Sequence, residues 1–479
     1  MSRYLSAAVP DAAPGAAIGT SVSSSAMSAT ATAPPRLPLP PAAQLIAWLA
    51  RPIELLERCR TRYGDSFSLM FPGFETPMVM ISHPDDVAGL FRDPANGLPP
   101  GRTTTLEPLL GARSVLLLEG REHLERRRLM LPPFHGERMR TYEDAITTAV
   151  NREIDSWPIG EPFPIHPRMQ AVTLEVILRA VFGVSDESRL RPLRRLLGNM
   201  LDQTNGIALQ LRFLASQRIT RISDPLAALR ESLIEVDEII AAEASERRAD
   251  PAAAEREDIL SLLVAARFQD GEPISDGELR DQLMTLLLAG HETTATGLAW
   301  SFDLLLRNPA ARGRLVAEVR DGGAEYLRAT VTESLRLRPV VPLAGRRLAA
   351  PLRLRSGIEL PAGADVAPAI WLTHTDPEIY PDPLAFKPER FLDQSPGTYS
   401  WIPFGGGVRR CLGAAFAELE MRIALREILG RCELEAASPK QERIARRNVT
   451  FSPKRGTPVI LHGRSAGLGA PVALAARNA

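Results

Sequence analysis

Between Ser275 and Asn308-Pro309 the chain carries an apolar-rich stretch with a start signal, a stop signal and no proline in between. Ser275-Asp276-Gly277-Glu278 reads as a capping box. The proline after Asn308 cannot continue a helix. Some 30 residues at 1.5 Å each predict a helix of about 45 Å, enough to cross a whole domain. Any fold that accepts such a rod must be built around it. From about 85 to 340 the pattern is helical almost throughout, with breaks at Pro132-Pro133, Pro158, Pro164 and Pro251. Pro52 to Tyr63 reads as a further helix. Phe67 to Phe71 and Met78 to Ile81 read as strands around a Pro72-Gly73 turn, and strand-like pieces return at Leu352 to Leu354 and Ile358 to Leu360. The expected architecture is mainly α with a small β-sheet subdomain, without internal repeats or a linker to a second domain.

The middle of the long helix breaks its own rules. Ala289-Gly290-His291-Glu292-Thr293-Thr294 sets a glycine, a carboxylate and two β-branched alcohols among apolar neighbours, where glycine and threonine are mediocre helix formers. A zinc-protease His-Glu-x-x-His helix is ruled out, because the second histidine position is Ala295. Two readings remain. One is a polar kink satisfied by backbone carbonyls. The other is a local widening that opens a pocket for water and oxygen, with Thr293 as hydrogen-bond donor and Glu292 as proton carrier.

The second unusual stretch is Phe404-Gly405-Gly406-Gly407-Val408-Arg409-Arg410-Cys411-Leu412-Gly413, which runs into an apolar helix face of Leu412, Phe416, Leu419 and Ile423. Cysteine ligates metal as the thiolate, which helix N-termini and neighbouring cations favour. Cys411 has both in sequence. The glycines remove side chains where a backbone would approach a flat macrocycle and leave N–H groups free to point at sulfur. A buried structural thiol is the alternative.

This loop resembles the cysteine signature Phe-x-x-Gly-x-Arg-x-Cys-x-Gly of the cytochrome P450 family, and Phe404, Gly407, Arg409, Cys411 and Gly413 match its five fixed positions. Ala289, Gly290, Glu292 and Thr293 resemble that family's oxygen-activation motif. Glu333 and Arg336, together with Arg390 in Pro388-Glu389-Arg390-Phe391, resemble its Glu-Arg-Arg triad. His123 and Arg127, at i and i+4 on one helix face, resemble its propionate-binding helix; Arg346 and Arg409 fit the remaining propionate positions. The motifs fall in the family's order over roughly residues 50 to 463.

The resemblance implies a soluble bacterial-type P450 fold holding haem b, with Cys411 as axial iron ligand. Oxygen activation needs two electrons and two protons, which Glu292 and Thr293 would relay. The implied activity is O2-dependent hydroxylation or epoxidation of a lipophilic small molecule: a fatty acid, terpene, steroid or polyketide. A peroxide-driven relative is the alternative, but such relatives tend to lack the acid–alcohol pair. Electrons are expected from a separate ferredoxin with its reductase, or from a flavodoxin, docking on an arginine-rich face that includes Arg126, Arg128 and Arg410.

Composition narrows the rest. The 57 basic and 57 acidic residues cancel, so no nucleic-acid partner is expected. Cys59, Cys411 and Cys432 form neither a disulfide framework nor a zinc pattern. Residues 1–40, rich in Ala, Ser, Pro and Thr, read as a disordered extension, and 465–479 as a flexible tail; 41–464 would be one haem domain. Leu45 to Leu49 is too short to anchor in a bilayer, so a cytoplasmic monomer is expected.

Overall fold

A computed structural model describes residues 33–72, 74–99, 102–183, 191–198, 227–447, 449–465 and 467. Its axis is the helix Asp276–Leu306, 31 residues long. Ser275 caps it by accepting the Glu278 N–H at 3.3 Å. Only half of the expected capping box forms: the buried Glu278 carboxylate turns to Arg126, whose guanidinium lies 4.5 Å from the Phe268 ring. The helix runs unbroken through Ala289–Thr294, so the expected widening does not interrupt it.

Helix Ile165–Phe182 packs antiparallel along the middle of this rod. The pairing is explicit: His166 meets Thr296, Gln170 meets Glu292, and Thr173 donates to the His291 carbonyl. Further along, a Cβ on Gly290 would stand 3.2 Å from Ile177 Cδ1, so glycine permits the close approach of the two helices there. Helices Glu143–Asp155, Glu325–Leu337 and Ala414–Arg431 complete the core, where Leu283, Phe302, Leu335 and Leu425 are nearly or fully buried.

Among the described residues the β structure lies in four small sheets. The largest orders Ser66–Leu69, Met78–Ile81, Asp365–Pro368 and Arg346–Arg347, its central pair parallel and its outer pairs antiparallel. It covers a second core of Trp48, Phe67, Met80, Trp371 and Phe451. The strands Ser66–Leu69 and Met78–Ile81 and the pieces near 352–360 are those the sequence indicates, within two residues. The sequence reading missed Pro162–Pro164, Arg346–Arg347, Asp365–Pro368 and four C-terminal strands: Cys432–Ala436, Ile444–Arg447, Thr450–Pro453 and Pro458–Arg464. Several of these pair with distant partners, as Pro162–Pro164 does with Pro458–Arg464 from the other end of the fold.

One boundary moves. Residues 33–40 are not a disordered lead-in, because Ser68 donates to the Pro35 carbonyl at 2.8 Å and Leu37 donates back to Ser68 at 3.2 Å. The edge of strand Ser66–Leu69 supplies the unpaired groups that order them. Ser465 likewise bonds to the Arg431 carbonyl. The expectations for 1–32 and for 468–479 lie outside the described residues. Among the described residues, no helix is long and apolar enough to cross a membrane.

Candidate active site

The cysteine loop is shaped by its glycines and by Phe91. Gly405 and Gly407 sit at φ +67° and +65°, a region that side chains strain. A Cβ on Gly406 would fall 2.3 Å from the Phe91 ring, and one on Gly407 would fall 2.3 Å from the Phe91 carbonyl oxygen. The loop folds back so that the Cys411 N–H donates to the Phe404 carbonyl at 3.0 Å, and helix Ala414–Arg431 starts with Gly413 at its N-cap. Cys411 keeps accessible surface, yet the chain surrounds it closely enough that burial raises its thiol pKa; the sulfur therefore faces an internal recess rather than open surface. The Gly413 N–H, Arg127 and Arg410 oppose that rise. The Arg409 guanidinium donates to the Leu118 carbonyl at 2.6 Å.

A basic cluster adjoins the sulfur. His123 is 4% exposed, and its pKa falls to about 4, first through burial and then through Arg409, Arg127 and Arg346. Arg346 is buried, stacks 5.2 Å from the Phe91 ring and donates to the Gly345 and Gly406 carbonyls at 2.9 and 3.3 Å. Helix Gly120–Met130 carries both His123 and Arg127, so their i,i+4 spacing is realised on one face.

On the long helix, Ala289 is exposed while Leu286, Leu287, His291 and Glu292 are buried, so a narrow accessible stripe opens in a covered rod. Thr293 lies on it, half-buried, and its hydroxyl donates to the Ala289 carbonyl at 2.7 Å. That bond is the carbonyl satisfaction one of the two sequence readings described. Glu292 turns to the opposite side, where Gln170 donates to it at 2.5 Å.

A family model described as Cytochrome P450 matches residues 34–458 of this chain. The chain belongs to the cytochrome P450 family. It is 40% identical over 435 residues to a putative cytochrome P450 135B1 of Mycobacterium bovis, covering 89% of this chain and 90% of that one. A putative cytochrome P450 137 of Mycobacterium tuberculosis is 37% identical over 438 residues, with 89% and 90% covered. Among solved structures, a retinoic acid bound cyanobacterial CYP120A1 superposes with a TM-score of 0.75 at 25% identity, covering 90% of this chain and 99% of that one. This P450 is accordingly a monooxygenase of the haem-thiolate type, and its chemistry requires O2 and redox partners.

The residues of this P450 suit that group. An accessible sulfur in a recess is a free ligand, and iron's own charge would deprotonate it against the effect of burial. Three guanidinium groups close enough to act on the buried, neutral His123 repel one another and suit an anion, which matches a propionate-bearing ring. Cys411 and the cluster are linked by Arg127, which acts electrostatically on both the sulfur and His123.

Behind the loop, this P450 has a buried anchor. Arg336 donates to Glu333 twice, at 2.6 and 2.8 Å, and neither side chain has any exposed surface. The same guanidinium donates to the His374 and Pro383 carbonyls at 2.7 and 2.8 Å and lies 4.9 Å from the Tyr380 ring. Arg390 Nε stands 3.5 Å from Glu333. The i,i+3 pair is thus no ordinary surface ion pair. His374, which the sequence reading missed, extends the anchor: its Nδ1 lies 3.0 Å from the Arg336 carbonyl, and its Nε2 accepts the Ile402 N–H at 2.8 Å. Only the neutral Nδ1–H form satisfies both contacts, and burial accordingly lowers its pKa to about 3. Ile402 leads directly into the cysteine loop. A lone histidine at the end of a short helix carries no sequence signal for this role.

Proposed function

We propose that this P450 binds haem b and inserts one atom of O2 into a C–H bond or double bond of a lipophilic small molecule of the fatty acid, terpene, steroid or polyketide class. Its electrons come from a separate ferredoxin and reductase or from a flavodoxin, and it works as a cytoplasmic monomer. The observation that carries this reading is the meeting of Cys411 and the buried basic cluster at Arg127. Haem supplies the redox chemistry that activates O2. Everything else falls to side chains of the chain.

Cys411 ligates the iron, and the Gly413 N–H with Arg127 and Arg410 stabilises its thiolate. His123, Arg127, Arg346 and Arg409 hold the propionates, while Phe404, Gly407 and Gly413 keep the loop flat and close. Ala289, exposed on the long helix, would leave room for the bound group, and Gly290 lets the helix sit tightly against Ile165–Phe182. Thr293 presents a hydroxyl on the accessible stripe, and Glu292 supplies protons. Glu333, Arg336 and Arg390 lock the chain behind the loop.

Several observations support the substrate class. Val341 and Leu343 are only half-buried just upstream of Arg346, and the cyanobacterial neighbour binds retinoic acid, a lipophilic acid. Arg128 and Arg410 are exposed and suit an acidic carrier; Arg126, pinned by Glu278 and Phe268, does not. The test is a lipophilic library screened for the low-to-high-spin Soret shift, followed by turnover of the hits under 18O2 with surrogate redox proteins. One labelled oxygen atom in the product is expected; an unlabelled product oxygen, drawn from water or added peroxide, would refute the reading.

A further inference from the structure

The first turns of the long helix carry a polar face where a core would take an apolar one. Glu278, Asp281, Gln282 and Thr285 fall at i, i+3, i+4 and i+7, the spacing that sets four residues on one side of a helix, and all four are buried. Burying polar groups is costly unless each finds a partner. The partners lie in one stretch of chain, residues 111–126. Asp281 accepts the Arg113 N–H at 2.9 Å. Gln282 accepts the Val115 N–H at 3.1 Å and donates to the Arg113 carbonyl at 2.5 Å. The Thr285 hydroxyl donates to the Asp281 carbonyl at 2.6 Å, so Ser114 Oγ, 2.7 Å away, is the donor to Thr285. Glu278 holds Arg126. The approach is close: a Cβ on Gly111 would stand 1.9 Å from an Asp281 carboxylate oxygen.

Segment 111–118 runs on into helix Gly120–Met130, which carries His123 and Arg127, and its Leu118 carbonyl accepts from Arg409 of the cysteine loop. Three of the four groups assigned to the propionates are therefore set by where this stretch docks. Resting on the haem reading above, we propose that Glu278, Asp281, Gln282 and Thr285 are positioning residues that dock residues 111–127 as a flap, and that haem leaves this P450 by parting of their polar seam rather than by loosening of the core. Packing favours such a flap. Within 111–118 only Val115 joins the main apolar core, and within helix Gly120–Met130 only His123 and Met130 are buried. Parting the seam thus uncovers little hydrocarbon, and each hydrogen bond it breaks is exchanged for one to water at small net cost. Met130 and Phe134, both in that core, hold the far end, so the flap hinges there.

The test follows haem transfer from the ferric, haem-loaded full chain to excess apomyoglobin. The variants are Thr285→Val, Thr285→Ser, Gln282→Leu and Gly111→Ala, with Val459→Ala, a truncation at a fully buried core position outside the seam, as the stability control. Thr285→Val and Gln282→Leu should speed haem loss about tenfold, the effect of leaving one buried hydrogen bond unmade. Gly111→Ala should also speed it by wedging the seam, and Thr285→Ser, which keeps the hydroxyl, should match the native rate. Hydrogen exchange of the 111–118 amides in the loaded protein should quicken in step with haem loss, while that of Ile165–Phe182 should not. Val459→Ala should lower Tm at least as far as Thr285→Val does and leave haem loss unchanged. If Val459→Ala speeds the loss as much as the seam variants, haem leaves through a loosened core and the proposal falls. If no seam variant changes the rate, the proposal falls while haem binding stands; a native chain that takes up no haem would overturn that reading and the proposal with it.

Discussion

At the scale of single residues, the cysteine loop depends on side chains it lacks. Gly407 is held at φ +65° with the Phe91 carbonyl where a Cβ would go. Gly407→Ala should cost about 1–3 kcal/mol in backbone strain alone, before the loop moves off Phe91. Reduced haem occupancy and a lowered Tm are the expected outcome, and full occupancy would show that the loop tolerates the displacement. Cys411, its glycines and the Arg127–His123 pair were legible in the sequence because their spacing is local. Phe91 was not, because it lies more than 300 residues upstream and only the fold brings it to the loop.

At the scale of elements, the anchor behind the loop is three segments sewn together by one guanidinium. Helix Glu325–Leu337 supplies Glu333 and Arg336, the short helix Ile370–His374 supplies His374, and the turn Pro388–Phe391 supplies Arg390. Truncating one partner of a buried pair leaves an uncompensated charge. Glu333→Ala is therefore expected to cost about 3–5 kcal/mol and to yield mostly haem-free protein; normal occupancy would mean the pair is dispensable. His374→Phe leaves the Ile402 N–H and the Arg336 carbonyl without partners, at about 1–3 kcal/mol each. Its signature should be a lower urea midpoint with loss of haem. The triad residues were visible as a motif, but their backbone partners carry no residue-type signal. Helices were legible for the same local reason as their caps, whereas the short C-terminal strands depend on partners far away in the chain.

At the scale of the whole molecule, three histidines besides His123 are locked neutral inside the fold. His166, His291 and His374 have pKa values lowered by burial to about 3, 4 and 3. Unfolding restores ordinary values near 6.5, so the unfolded chain binds more protons than the native one between those limits. The stabilisation is complete above about pH 6.5 and is lost as pH falls towards 4, by up to about 4 kcal/mol per pH unit when all three titrate. Denaturant midpoints measured from pH 7 to pH 4 should fall steeply, and a flat profile would contradict the neutral assignment. Nothing in the sequence marked His166 or His374, and His291 stood out only by its motif, because burial is a property of the assembled core.

The account rests on the Cys411 sulfur being the haem ligand, and the carbon-monoxide complex of the reduced protein tests it most directly. The native chain should give the red-shifted Soret band of a thiolate-ligated haem, and Cys411→Ser should fold but lose that band. A native spectrum without it, or a band that survives the substitution, would contradict the assignment.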